Sequence, residues 1–396
     1  MASRPRVGEL DALELWNTED AVELERPSDL KKYDITVASR DWTVETIVRQ
    51  VQQGNIDLAP AFQRRNAWRD SRRSRLIESF VLGFPVPQLV LAENPRSRGT
   101  FISIDGKQRL LTIAGLYLHD YRSYWTTERF SGLNVLRDLN RVPLDDFLTS
   151  PSWSKEQRQL ANSDIRTTII TGFQDEDVLY DIFYRINTGS VPLSSQELRQ
   201  VLNRGGFAEF LFEVTSQANP LWKVLRINFP DPRLRDVELL LRLIALALFA
   251  PKYKGDMRAF LDGAMHSLNQ SWNLRSQQVE DLASELFDGV NAGLEIFGRE
   301  LGRKIRGGKV ESALNRALFE VQTYYLSLPR VRQAALQNKE ALVARSRTLF
   351  DDPEFLSSIE STTKSIQNYR LRFDRYQGML QDTLKTPVAP LQIASK

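Results

Sequence analysis

Cysteine is absent from the 396-residue chain. That absence removes disulfides, thiolate metal sites, cysteine nucleophiles and iron–sulfur clusters, and it makes a reducing cytoplasm the natural setting. Histidine is almost absent too, with only His119 and His266 in unrelated segments. An HNH-type or HExxH-type site needs histidines at fixed spacing, so each of these two reads instead as a helix-surface or helix-end residue. Long apolar runs are missing. The longest, VELLLRLIALALFA over 237–250, is broken by Glu238 and Arg242 and falls short of the ~20 residues a membrane span needs. The N-terminal stretch has no apolar signal core, so a cytoplasmic protein without a membrane partner is expected.

What is present is an ordinary globular composition, 42% hydrophobic and 26% charged, in a chain long enough for two domains or one elaborated domain. Net charge is only +3, yet the cations are 40 Arg against 13 Lys. Guanidinium groups suit bidentate phosphate contact, although a GC-rich coding sequence produces the same bias.

Periodicity organises the chain. Residues 1–33 are charged and without pattern, as a loosely held arm would be. VETIVRQVQQGN (44–55) has helical apolar spacing and a Gly-Asn stop. A short strand opens at Ile56, and SRRSRLIESFVLGFPVP (71–87) reads as a helix ended by Gly83, Pro85 and Pro87. QLVLAEN (88–94) and TFISI (100–104) read as a hairpin around PRSRG, followed by the helix QRLLTIAGLYLHD. Residues 120–164 look like a polar, irregular insert. IRTTIITGF (165–173) is β-branched and reads as a strand. A helix then ends at Asn187-Thr188-Gly189, and another starts at Ser194 with Glu197 completing a capping box. Past Gly205 only helical spacing remains. The fold class is therefore α+β: a mixed α/β domain over 34–204, a mainly α-helical domain over 205–385, and a frayed tail over 386–396.

Four constellations could carry chemistry. In FISIDGKQRLLTI (101–113), Asp105 and Gly106 sit at a strand-to-helix turn followed by Lys107, Gln108 and Arg109. A glycine turn allows close ligand approach, and free helix amides with nearby cations favour phosphate. Asp105 could hold a metal or a water there, or could simply cap the helix while Arg109 pairs with an acid. FQRRNAWRDSRRSR (62–75) carries six arginines and two aromatics, a pattern used on nucleic-acid surfaces. In it Arg72, Arg73 and Arg75 read as a solvated helix start, and Gln63-Arg64 as loop residues beside a strand. IFYRINTGSVPLSSQELR (182–199) offers Asn187, Thr188 and Gly189 as ligand contacts or as plain C-cap chemistry, with Glu197 read as a capping residue. In RLRDVELLLR (233–242), Asp236 and Glu238 read as first-turn acids that favour the helix dipole. Finally, GRELGRKIRGGK (298–309) is a basic loop whose Arg303, Lys304 and Arg306 could meet DNA phosphates in a salt-dependent way.

Taken in order, FQRRNAW, RLIESFVLGFPVP, IDGKQRLLTI, IFYRINTGSVPLSSQELR and RLRDVELLLRLIAL with YKGDMRAFL resemble the N-terminal domain family of the GmrSD modification-dependent restriction endonucleases over about residues 40–265. The resemblance implies a ParB/sulfiredoxin-like nucleotide-binding fold with helical additions. It carries the family's D-G-Q-Q-R motif onto Asp105, Gly106, Lys107, Gln108 and Arg109, with lysine standing where glutamine is usual. It carries F-x-x-x-N onto Phe183 and Asn187, and the early Q-R onto Gln63 and Arg64.

Implied by that resemblance is an NTP-hydrolysing component of a DNA restriction or phage-defence system. Asp105 and Arg109 would be catalytic, and Gln63, Arg64, Gly106, Lys107, Gln108, Phe183, Asn187, Thr188 and Gly189 would bind the nucleotide. A divalent metal, Mg²⁺, would come with the NTP and be held by Asp105 and Asn187. DNA, modified or not, would be met by Arg65, Trp68, Arg303, Lys304 and Arg306. Because the chain shows no histidine-bearing HNH motif and no base–metal cluster, cleavage is expected from a separate HNH nuclease subunit. The alternative is a non-catalytic DNA-binding or regulatory module on the same fold.

Overall fold

The structure is a computed structural model that describes residues 35–58, 68–94, 97–173, 182, 194–360 and 365–393. The chain forms two compact units that meet in sequence between Leu193 and Ser194.

The first unit is built on a five-stranded mixed sheet in the order β1-β5-β3-β4-β2. Its elements are β1 (Thr36–Thr43), α1 (Val44–Gln52), β2 (Ile56–Asp57), α2 (Asp70–Val81), β3 (Leu89–Asn94), β4 (Ser97–Asp105), α3 (Lys107–Tyr117), α4 (Leu144–Thr149), α5 (Ser154–Ala161) and β5 (Asp164–Thr171). The sheet is mixed because β3 and β5 are joined by a long crossover and run parallel, whereas β3 and β4 form the expected antiparallel hairpin. All four residues Leu89–Ala92 of β3 are buried, as a strand covered on both faces requires. The edge strand β1 is not announced by any apolar alternation, since most of its residues are exposed. It is fixed by its antiparallel register with β5, in which Asp41 faces Arg166 and pairs with it at 2.8 Å.

Helices α1, α2 and α3 lay Val44, Ile47, Val51, Leu76, Ile77, Phe80, Leu110 and Ile113 into a common core with Leu89 and Leu91. The segment 120–164, expected to be polar and irregular, belongs to that core. Trp125, Phe130 and Phe147 are buried, with edge-on ring contacts at 5.8 and 5.1 Å. Over residues 126–136 its backbone forms no helix or named strand, so those amides need other acceptors. A stripe on α2 at spacing four provides them. Asp70 accepts from the amides of Thr126 and Thr127, Ser74 Oγ from the amide of Ser131, and Glu78 from those of Val135 and Leu136.

The second unit is helical, as its periodicity requires: α6 (Ser195–Leu202), α7 (Gly206–Ser216), α8 (Pro220–Leu225), α9 (Arg235–Phe249), α10 (Met257–Gln270), α11 (Trp272–Phe297), α12 (Arg316–Ser327), α13 (Pro329–Gln337), α14 (Lys339–Thr348), α15 (Pro353–Glu360) and α16 (Ile366–Leu384). The basic loop before α12 contains a small hairpin, β6 (Ile305–Arg306) and β7 (Lys309–Val310), turned by Gly307 and Gly308 at positive φ. The capping box at Ser194 is present, with Ser194 Oγ accepting from the Glu197 amide at 3.1 Å and Glu197 accepting from the Ser194 amide at 2.6 Å. His119 and His266 are exposed. Among the described residues, no helix is long and apolar enough to cross a membrane.

Asp236 and Glu238 lie in the first turn of α9, as expected, and both are buried. Glu238 Oε1 accepts from Arg242 at 2.7 Å and Arg316 at 2.9 Å, and Arg242 reaches Glu320 at 3.0 Å. Burial raises the Glu238 carboxyl, but Arg242, Arg316 and Arg199 together hold it at about 2. The apolar run of α9 tolerates Glu238 and Arg242 because each satisfies the other four residues along the helix. Replacing Glu238 by Ala takes a charged acceptor from two buried guanidinium groups, although Arg242 keeps Glu320, and is expected to destabilise the protein by roughly 3 kcal/mol. Denaturant unfolding measures it. With a folded pKa below the ordinary 4.5, the carboxylate's contribution is fully present above that value and is lost as pH falls toward about 2.

Candidate functional site

The turn between β4 and α3 is shaped by two local features. In the β3–β4 pairing, Val90 faces Asp105 while Leu91 faces Ser103, so Ile104 is the extra residue of a β-bulge. Bulges re-aim the chain at sheet edges and beside sites, and this one delivers Asp105 to the mouth of α3. Next comes Gly106 with φ +95°, where a Cβ would lie 2.4 Å from Leu89 Cδ2. No other residue meets both the left-handed backbone and the contact. Because Gly106 occupies the N-cap, no side chain caps α3 from that position.

Asp105 and Arg109 are bound to each other. Asp105 Oδ1 accepts from the Gly106 amide at 2.7 Å, and Oδ2 from Arg109 Nη2 at 3.1 Å. The same Nη2 donates to the Gln88 carbonyl at 2.9 Å, while Arg109 Nε is buried and has no hydrogen-bond partner among the described residues. Asp105 thus holds the turn and Arg109 together, and with about a third of its side chain exposed it stays open to solvent. Lys107 and Gln108 are the first two residues of α3.

A third cation enters from α2. Arg73, expected on a solvated face, has no solvent exposure. Its Nη1 donates to Thr112 Oγ1 at 3.1 Å and its Nη2 to Gln108 Oε1 at 3.4 Å, and its guanidinium lies 5.9 Å from the Tyr124 ring centre. Burial pulls its pKa down to about 10, against Asp70 and Tyr124, which push it up. The sequence does hold a signal for this position. Arg73 precedes Leu76, Ile77 and Phe80 by three, four and seven residues, and therefore lies on the buried stripe of α2. Its neighbours Arg72 and Arg75 are exposed as expected, and Arg72 stacks over Trp68 at 4.4 Å.

The remaining sequence candidates distribute differently. Gln63, Arg64, Arg65, Phe183, Asn187, Thr188 and Gly189 lie outside the described residues. Trp68 is half-buried and packs against the core of the first unit. In the second unit Arg303 points inward, donating to the carbonyls of Val224 at 2.7 Å and Leu301 at 3.0 Å, and burial together with Arg226 lowers its pKa to about 10. Lys304 and Arg306 share Glu311 and Glu360, Lys304 at 3.2 and 3.0 Å. Much of the charge of that basic loop is therefore met inside the unit.

As a metal ligand, Asp105 is one carboxylate whose two oxygens each already accept a hydrogen bond, with lone pairs to spare. No group of three or more His, Cys, Asp or Glu that could hold a metal occurs among the described residues. This donor set fits Mg²⁺ carried mainly by phosphate oxygens and water, with one protein carboxylate, and not a dedicated protein cage.

Substituting Gly106 by Ala is expected to destabilise the first unit by about 1–3 kcal/mol from backbone strain, with more from the Leu89 contact. Equilibrium unfolding checks this, and a neutral effect would contradict the tight turn.

Comparison with known proteins bears on the same segment. No curated protein and no solved structure matches the chain. Residues 44–202 match the family model described as "GmrSD restriction endonuclease, N-terminal domain". The match starts at the first residue of α1 and ends at the last residue of α6, and it contains the bulge, the Gly106 turn, Arg73 and Arg109. Over residues 44–202 the chain is therefore similar to the N-terminal domain of GmrSD restriction endonucleases.

Proposed function

We propose that this chain is the nucleotide-binding, NTP-hydrolysing component of a DNA restriction system, with the phosphates seated at the start of α3. One observation carries the reading: at the start of α3, whose N-cap residue Gly106 supplies no side-chain cap, Arg73 bonds Gln108 and Arg109 pairs with Asp105, with Lys107 as the first helical residue. Helix amides, the dipole and guanidinium groups all favour an anion there. The family match adds the restriction setting.

In this reading the phosphate oxygens take donors from the α3 amides, Lys107 and Arg109. As Arg109 turns toward phosphate, its contact with Asp105 Oδ2 weakens. Asp105 is then available to orient the water that attacks the terminal phosphorus and to take its proton, while the bond to the bridging oxygen breaks, its electron pair leaves on the nucleoside diphosphate and the cations stabilise that charge. Mg²⁺ arriving with the nucleotide would neutralise phosphate charge, with Asp105 and Asn187 as the residues to hold it. Gln63, Arg64, Phe183, Thr188 and Gly189 complete the proposed nucleotide contacts. DNA, including modified DNA, and a separate HNH nuclease subunit are the proposed partners, with Arg65, Trp68, Lys304 and Arg306 as the DNA contacts; the inward-turned Arg303 is not among them.

Purified protein with Mg²⁺ and each of the four NTPs is expected to release phosphate. Asp105→Asn and Arg109→Ala should each lower the rate by roughly 10²–10³-fold, with circular dichroism checking the fold. Turnover unchanged by both substitutions contradicts the assignment. Nucleotide binding without turnover in the wild type would leave a regulatory module.

A further inference from the structure

Arg73 touches the motif helix at two points one turn apart. Nη1 reaches Thr112 Oγ1 at 3.1 Å and Nη2 reaches Gln108 Oε1 at 3.4 Å, while the Thr112 hydroxyl donates to the main-chain carbonyl of Gln108 at 2.7 Å. Gln108 is therefore gripped by its side-chain oxygen and, through Thr112, by its backbone. The partner is chemically one-sided. A guanidinium has five N–H donors and no acceptor, so the end of the Gln108 amide that faces Arg73 must be the oxygen. The end left for a ligand at the start of α3 is the NH₂.

We propose that Arg73 is a positioning residue that locks the Gln108 amide with its NH₂ available to the bound ligand, so that this position of the site recognises an acceptor such as a phosphate oxygen. This rests on the nucleotide reading above and adds a polarity to it. A free glutamine can offer either end of its amide and so discriminates poorly between donor and acceptor groups. Fixed by Arg73, it presents donors alone, matching Lys107, Arg109 and the α3 amides. The geometry also explains why a cation occupies a position on the apolar stripe of α2, where Leu or Met would pack at lower desolvation cost. Lysine does not substitute well, because one ammonium on a flexible stem lacks the planar fork that spans Thr112 and Gln108.

The test is a double-mutant cycle read by calorimetric binding of ATP and GTP to the full chain. Arg73→Met and Gln108→Met are each expected to weaken binding about tenfold, the scale of one hydrogen bond to a charged group. The double variant should be no weaker than either single one, because Arg73 acts through Gln108. If Arg73→Met fails to fold, Arg73→Lys takes its place in the same cycle, with a smaller loss expected. Gln108→Glu supplies an independent readout. Its carboxylate would pair with Arg73 and raise the melting temperature, yet weaken nucleotide binding by presenting only acceptors. Additive losses, or wild-type affinity in the Arg73 variant, overturn the positioning role while leaving the nucleotide site standing. A wild-type protein that binds neither ATP nor GTP overturns both.

Discussion

A guanidinium group with no solvent exposure must be satisfied by what surrounds it, and in the first unit that requirement ties α2 to the start of α3. Arg73 donates to Gln108 and Thr112, and the helix that carries it is anchored on two further faces. Its apolar stripe, Leu76, Ile77 and Phe80, lies in the sheet core. Its polar stripe, Asp70, Ser74 and Glu78, accepts the amides of the 126–136 segment. One helix of 12 residues thus contacts the core, the insert and the motif turn.

The turn itself depends on sheet geometry. The bulge at Ile104 and the left-handed Gly106 bring Asp105 to the helix mouth already bonded to the amide behind it and to the arginine one turn ahead. That arrangement places negative charge where a helix N-terminus is stabilised by it, while Arg109 and Arg73 keep the neighbourhood cationic. An incoming phosphate would compete with Asp105 for Arg109, so binding and the freeing of the carboxylate are linked through a single nitrogen.

Much of this architecture is legible in the amino-acid sequence, for identifiable reasons. The hairpin, the β-branched strand at 164–171 and the Ser194 capping box follow from local propensity and short-range hydrogen bonding, which the sequence states directly. Three features are not legible there, and each depends on tertiary contact. Strand β1 carries no apolar alternation because its burial comes from β5. The 120–164 insert hides its aromatic residues among polar ones, and its backbone is satisfied by side chains some 57 residues earlier. The buried charge Arg73 reads as a surface group because most arginines are exposed. Around Arg73 the apolar spacing of α2 marks the position as inward-facing, so periodicity outweighs residue type as a guide to burial there. Arg303 has no such marker, and its inward turn toward the Val224 carbonyl is set by packing alone.

The most direct measurement of the central claim is amide hydrogen exchange of the wild-type chain with and without Mg²⁺ and nucleotide. Protection is expected to rise at the first-turn amides of α3, Lys107 to Arg109, where phosphate oxygens would take them as donors. Protection that appears elsewhere in the chain while those three amides exchange as in the free protein would contradict it.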